Sequence, residues 1–104
     1  MKIYDFKKGQ NGFNYVFEKS IDPMTTILLK IPPVSSNKRG INDIGFACEN
    51  GIKLYATISS RPEGADTIWQ EINSYDKINK TTSFIKIENT YDIPQRVNIR
   101  VIMN

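Results

Sequence analysis

Hydrophobic and polar residues alternate one by one along much of this chain. The clearest run is Gly51-Ile52-Lys53-Leu54-Tyr55-Ala56-Thr57-Ile58-Ser59. On an extended backbone it sets Ile52, Leu54, Ala56 and Ile58 on one face and Lys53, Tyr55, Thr57 and Ser59 on the other. The C-terminal Gln95–Met103 alternates as strictly, with Val97, Ile99, Val101 and Met103 inward and Arg96, Asn98 and Arg100 outward. Both patterns predict strands. Residues 13–18, 25–31, 44–48 and 83–89 have strand length too and are bounded by Gly, Pro, Asn or Asp.

The punctuation between these runs suggests how they connect. Glu49-Asn50-Gly51 carries the Asn-Gly dipeptide of tight hairpins, so 44–48 and 52–59 are expected to pair antiparallel. A second connection, 89–94, joins Ile85-Lys86-Ile87 to the last strand, with Pro94 ending it. Asp22-Pro23, Pro32-Pro33 and the polar stretch 35–40 read as turns and one exposed loop. Segment 61–72 has two readings. Asp66 caps a short helical turn with Ile68, Trp69 and Ile72 on one side, or a strand carries Ile68, Gln70 and Ile72.

No stretch sustains an i, i+3, i+4, i+7 apolar pattern, and Ala occurs only at Ala47, Ala56 and Ala65. The expectation is a single all-β domain over 1–104, an antiparallel β-sandwich or jelly roll with at most a short helical turn near residues 66–72. A compact barrel such as an OB-fold is the alternative.

Composition narrows the chemistry. The 104 residues contain no His and one Cys. That excludes Ser-His-Asp and Cys-His catalysis, the common zinc sites, a histidine pH switch and four-cysteine metal centres. Cys48, in Ile44-Gly45-Phe46-Ala47-Cys48, reads as a small buried hydrophobe. Gly9-Gln10-Asn11-Gly12 lacks the downstream Gly, Lys and Ser/Thr of a phosphate loop. Among Asp43, Glu49, Glu63, Asp66 and Glu71 no spacing selects a catalytic pair or a calcium loop. The chain is therefore expected not to be an enzyme and to need no cofactor or metal. A domain of this size hides about two-thirds of its unfolded surface, enough for one core but not for a deep cleft as well. Function is expected on the surface.

Fourteen basic and eleven acidic residues leave a formal +3, slight beside the basic stripes of nucleic-acid binders. Lys7-Lys8 and Lys38-Arg39 are the basic doublets. The N-terminus has charges at nearly every other position and no apolar signal segment, and apolar runs such as Ile27-Leu28-Leu29 are far too short to span a bilayer. The expectation is synthesis in the cytoplasm without a signal peptide and no membrane partner.

Five residues stand out as an interaction surface. Trp69 suits either a core plug at a corner between sheets or a ligand platform or subunit interface. Tyr55, Tyr75 and Tyr91 fall at outward or loop positions, where they either cover sheet surface or stack on a sugar or base. Ile102 lies outward between Arg100 and Asn104, where an apolar side chain invites a partner. Sheet edges point the same way. Ile3-Tyr4-Asp5-Phe6 and Asn98-Ile99-Arg100-Val101-Ile102-Met103 lie at chain ends, where an edge strand or an exchanged arm pairs with another copy.

The succession Leu54-Tyr55-Ala56-Thr57-Ile58-Ser59, Asp66-Thr67-Ile68-Trp69-Gln70-Glu71-Ile72, Phe84-Ile85-Lys86-Ile87-Glu88-Asn89 and Val97-Asn98-Ile99-Arg100-Val101 resembles the small β-sandwich structural proteins of tailed bacteriophages and prophages. The resemblance covers the C-terminal half. It implies a non-enzymatic capsid decoration, head, tail or fibre component that binds other protein subunits, as a homo-oligomer or in a virion lattice. Residues alone also allow a carbohydrate-binding module that stacks a surface glycan on Trp69, Tyr55, Tyr75 or Tyr91. A third reading, single-stranded nucleic-acid binding, uses the same tyrosines and the small positive charge.

Overall fold

The computed structural model describes residues 1–9, 14–32, 40–73, 78 and 81–103, and of Asn42 the backbone alone; in it the alternating segments form two packed antiparallel sheets. The first has the order β1-β4-β8-β6-β7, built from β1 (Ile3–Asp5), β4 (Thr26–Lys30), β8 (Phe84–Asn89), β6 (Ile52–Thr57) and β7 (Gln70–Ile72). The second has the order β2-β3-β9-β5, built from β2 (Lys7–Lys8), β3 (Asn14–Ile21), β9 (Gln95–Met103) and β5 (Ile41–Cys48). The one parallel pairing among them is β1 with β4. This is the β-sandwich of the sequence expectation, with open edges where a barrel would close.

Period-two patterning decides the register. Val97, Ile99, Val101 and Met103 are each at most 3% exposed and face the first sheet, whose Ile27, Leu29, Leu54, Ile72, Ile85 and Ile87 meet them in one core with Phe17 and Ile21. A polar rivet ties the sheets at one end. Asn89, at the end of β8, donates from Nδ2 to the carbonyls of Ile21 (3.1 Å), Asp22 (3.2 Å) and Ile93 (2.9 Å), and its Oδ1 accepts the Tyr91 amide (2.9 Å).

Leu28 is fully buried although its register with Lys86 turns it away from that core. The β6–β7 connection, 58–69, reaches back across the outer face of the first sheet toward β1. The Met1 ammonium beside β1 meets Glu63 of this connection at 3.1 Å. β1 and β6, from which the connection leaves, are three places apart in the sheet, about 14 Å. The connection is braced internally: Gly64 donates to the Arg61 carbonyl, Thr67 to those of Gly64 and Arg61, and Arg61 to the Ser59 hydroxyl.

Four sequence expectations change here. The Asn50-Gly51 turn forms, with Ile52 donating to Glu49, but it is no hairpin: β5 belongs to the second sheet and β6 to the first. Neither Asn50 nor Gly51 has the positive φ that a two-residue hairpin turn needs. Tertiary partners take over instead, since the Gly51 amide donates to Gln95 Oε1 and its carbonyl accepts from Thr90. Around 66–72 the strand alternative holds in part and the helical turn does not form: Gln70–Ile72 extends as β7 on the free side of β6 with Ile72 buried, while Ile68 stays outside the strand and exposed. Strand β6 stops at Thr57, so Ile58 leaves the core face and is exposed. Finally, the C-terminal strand is no edge: β9 lies between β3 and β5. Its strict alternation suits a strand with neighbours on both sides. The expected turn at Gln10–Gly12, the start of strand 13–18 and the loop at 35–39 lie outside the described residues.

Gly51 also shows why the turn is fixed. A Cβ built there would lie 2.6 Å from Tyr91 Cγ. Gly51→Ala is expected to cost about 1–3 kcal/mol through overpacking. Tyr91→Ala in the same chain should recover most of that loss, read as paired thermal midpoints.

Candidate functional site

The structure brings two of the candidate aromatics together. Tyr55 on β6 lies directly opposite Lys86 on β8 and Glu71 on β7, all on the outer face of the first sheet. Trp69 enters this face from the end of the β6–β7 connection. The Lys86 ammonium sits 4.8 Å from the Tyr55 ring centroid and 4.7 Å from that of Trp69, so one face of each ring carries a cation–π contact. Trp69 is half-buried here and is no core plug. Sequence reading missed Lys86 because its alternation shows only that it points outward, and the cross-strand partner depends on register.

The other candidates are elsewhere. Tyr91 is 44% exposed in the β8–β9 turn against Gly51, while Ile102 is 40% exposed on the outer face of the second sheet, opposite Asn14 and Asp43. Tyr75 lies outside the described residues. Tyr55, Trp69 and Tyr91 thus do not line one stacking surface.

A second feature emerges at the sides of the sandwich. On one side the chain passes from β1 to β2 through Phe6, whose ring meets Phe17 edge-on at 6.4 Å and helps close that flank. On the opposite side β5 and β7 end their sheets, and a groove of about 410 Å³ runs between them, lined by Phe46, Cys48, Ile52, Leu54 and Ile72. The hydrogen-bond phase of β5 follows from Glu49, whose amide donates to the Arg96 carbonyl at 3.0 Å. Counting back, Ala47 and Gly45 bond to β9, and the backbone groups of Ile44, Phe46 and Cys48 turn to the open side. The Ile44 amide is taken by Asp43 Oδ1 at 2.9 Å, beside a register shift between Ile41 and Asp43. Bulge and carboxylate blunt that half of the edge. Phe46–Cys48 remains as a short pairing edge beside this groove, whose apolar side chains are joined by Glu49, Asn50, Lys53, Glu71 and Asn73.

Cys48 points into this groove, half-buried. Burial pushes its thiol above the ordinary range, and a hydrogen bond with the Asn98 backbone pulls less strongly the other way. The neutral thiol is thus the dominant form at pH 7. Its labelling rate by a disulfide reagent is expected to keep climbing with pH beyond the midpoint of a free thiol; a plateau near neutrality would contradict this environment.

A further cleft of about 420 Å³ at the end of β6 and β7 is lined by Ala56, Thr57, Asp66, Ile72 and Ile78, with the exposed Ile58 and Ile68 at its rim. Among the described residues no three His, Cys, Asp or Glu side chains gather as a metal ion would need. Compared with protein-family models, characterised proteins and solved structures, the chain matches none of them.

Proposed function

We propose that the chain is a non-enzymatic structural module that works by protein–protein assembly, as a capsid, head or tail component of a bacteriophage or prophage virion. The observation that carries the assembly reading is the Phe46–Cys48 edge, whose outward backbone groups adjoin a groove lined by both apolar and polar side chains. An added strand there gains main-chain hydrogen bonds from the edge and a side-chain pocket from the groove. The virion setting rests on the C-terminal resemblance. Glycan or single-strand binding draws less support, because Lys86 already lies on Tyr55 and Trp69, and Tyr91 sits apart from them.

The test is a pair of variants at one position. Cys48→Pro removes an outward donor and spares the ladder to β9, whereas Cys48→Ala keeps the donor. Light scattering at micromolar concentration, alone and with purified particles of the phage that carries the gene, reads association. The alanine variant is expected to associate like the parent and the proline variant, folded by circular dichroism, to lose association. A strictly monomeric parent that binds no particle would overturn the reading, as would turnover of a substrate abolished by one substitution that spares the fold.

A further inference from the structure

Resting on that assembly reading, we propose that the open edge is occupied by a second copy of this chain, docked head to tail: the β5/β7 side of one copy meets the β1/β2 side of the next.

The two sides carry opposite charge. Among the described residues the charged side chains lining the groove are Glu49 and Glu71 against Lys53, and Asp43 lies exposed further along β5. On the far side, among the described residues, Lys2, Lys7 and Lys8 are exposed and Lys19 partly so, against Asp5 and the Glu63 carboxylate that pairs with the Met1 ammonium. Among the described residues none of these lysines, nor Asp5, Asp43, Glu49, Lys53 or Glu71, joins an ion pair; the pairs formed are Met1 with Glu63 and Arg96 with Glu18. Asp43 accepts the Ile44 amide at the open edge, while Glu49 accepts the Arg96 amide and is held against β9; among the described residues neither carboxylate is in an ion pair.

Backbone phase matches as well. Leu28 donates to the Lys2 carbonyl across the parallel β1–β4 pair, so the groups of Ile3 face away from the sheet. Gly9 donates to Asn14 at 2.7 Å, which makes Lys8 and Tyr15 a non-bonded pair and turns the groups of Lys8 outward. Both flanks thus offer unpaired donors and acceptors beside charges of opposite sign.

A symmetric contact of β5 with its own copy is disfavoured by the same charges. A two-fold axis at Phe46 sets Asp43 opposite Glu49, and like charges directly opposite are destabilising. A head-to-tail contact uses two different patches and propagates into a ring or a filament.

Charge exchange tests the proposal. Lys7→Glu with Lys8→Glu makes both sides acidic; Glu49→Lys with Glu71→Lys makes both basic. Sedimentation velocity at low ionic strength is expected to show the parent growing beyond a dimer with concentration. Each double variant alone should associate about tenfold more weakly or worse. An equimolar mixture of the two should regain the parental behaviour, because every acidic side then finds a basic one. Added salt should weaken both the parent and the mixture. If Glu49→Lys with Glu71→Lys does not fold by circular dichroism, Lys7→Ser with Lys8→Ser replaces the comparison and should weaken association by itself. A lysine variant that associates like the parent would overturn the proposal, and so would a mixture of folded variants that stays dissociated. A parent that binds phage particles but never itself sinks this inference and leaves the assembly reading standing.

Discussion

Ile99→Asp is expected to leave the chain unfolded at room temperature. Ile99 is fully buried at the middle of β9, paired with Phe17 on one side and Phe46 on the other, and faces the core-lining strands of the first sheet. A carboxylate there has no cation within the core to meet. An unpaired buried charge costs several kcal/mol, and losing the isoleucine adds about 2–5 more, against a total stability of about 5–15 kcal/mol. The neighbouring Asn98→Asp is the control. Its side chain points outward between Glu18 and Ala47, so the new charge is solvated and costs less than about 1 kcal/mol through repulsion by Glu18. Urea titration of both variants by circular dichroism checks the register; equal effects would mean that the two faces of β9 are misassigned.

The second large effect is expected at Asn89. It is 1% exposed and holds the carbonyls of Ile21, Asp22 and Ile93 and the amide of Tyr91, joining the end of β3 to the turn between β8 and β9. Asn89→Ala removes the donor and acceptor but not their partners, and each buried group left unpaired costs about 1–3 kcal/mol. A loss of about 3 kcal/mol, or about 10–20 °C in thermal midpoint, is expected for a domain of this length. Asn89→Asp keeps the acceptor for Tyr91 but points a carboxylate at three carbonyl oxygens. It should be more damaging than alanine at neutral pH, by scanning calorimetry. Tolerance of aspartate would show that the side chain is held by contacts other than these hydrogen bonds.

What the sequence made legible follows from where information is local. In β9 and β6 the two-residue period comes from the chain itself, so inward and outward sets for Gln95–Met103 agree with the burial of every alternate residue. Asn50-Gly51 shows the limit. The dipeptide encodes a turn, and a turn forms, but its type was decided by Gln95 and Thr90 about forty residues away. For Gln70–Ile72 the local pattern allowed a strand or a helical turn, and the free side of β6 decided for the strand.

The candidate site divides in the same way. Tyr55 was recognisable as an outward aromatic, whereas Trp69 read as a core plug or a platform, and Lys86 between them required the β6–β8 register. The open edge was harder still. Edge strands were expected at the chain ends, which holds for β1 but not for β9. The accepting edge lies at Phe46–Cys48, in mid-sequence, because the turn after Cys48 sends the chain to the other sheet.

Residue-resolved amide exchange of β5 tests the central claim most directly. In dilute solution the amides of Gly45 and Ala47 are expected to be protected by β9, while those of Phe46 and Cys48 exchange fast. On assembly Phe46 and Cys48 should become protected too, with Gly45 and Ala47 unchanged. Protection of Phe46 and Cys48 in the dilute monomer, or their continued fast exchange in the assembled state, would contradict an edge that works by accepting a strand.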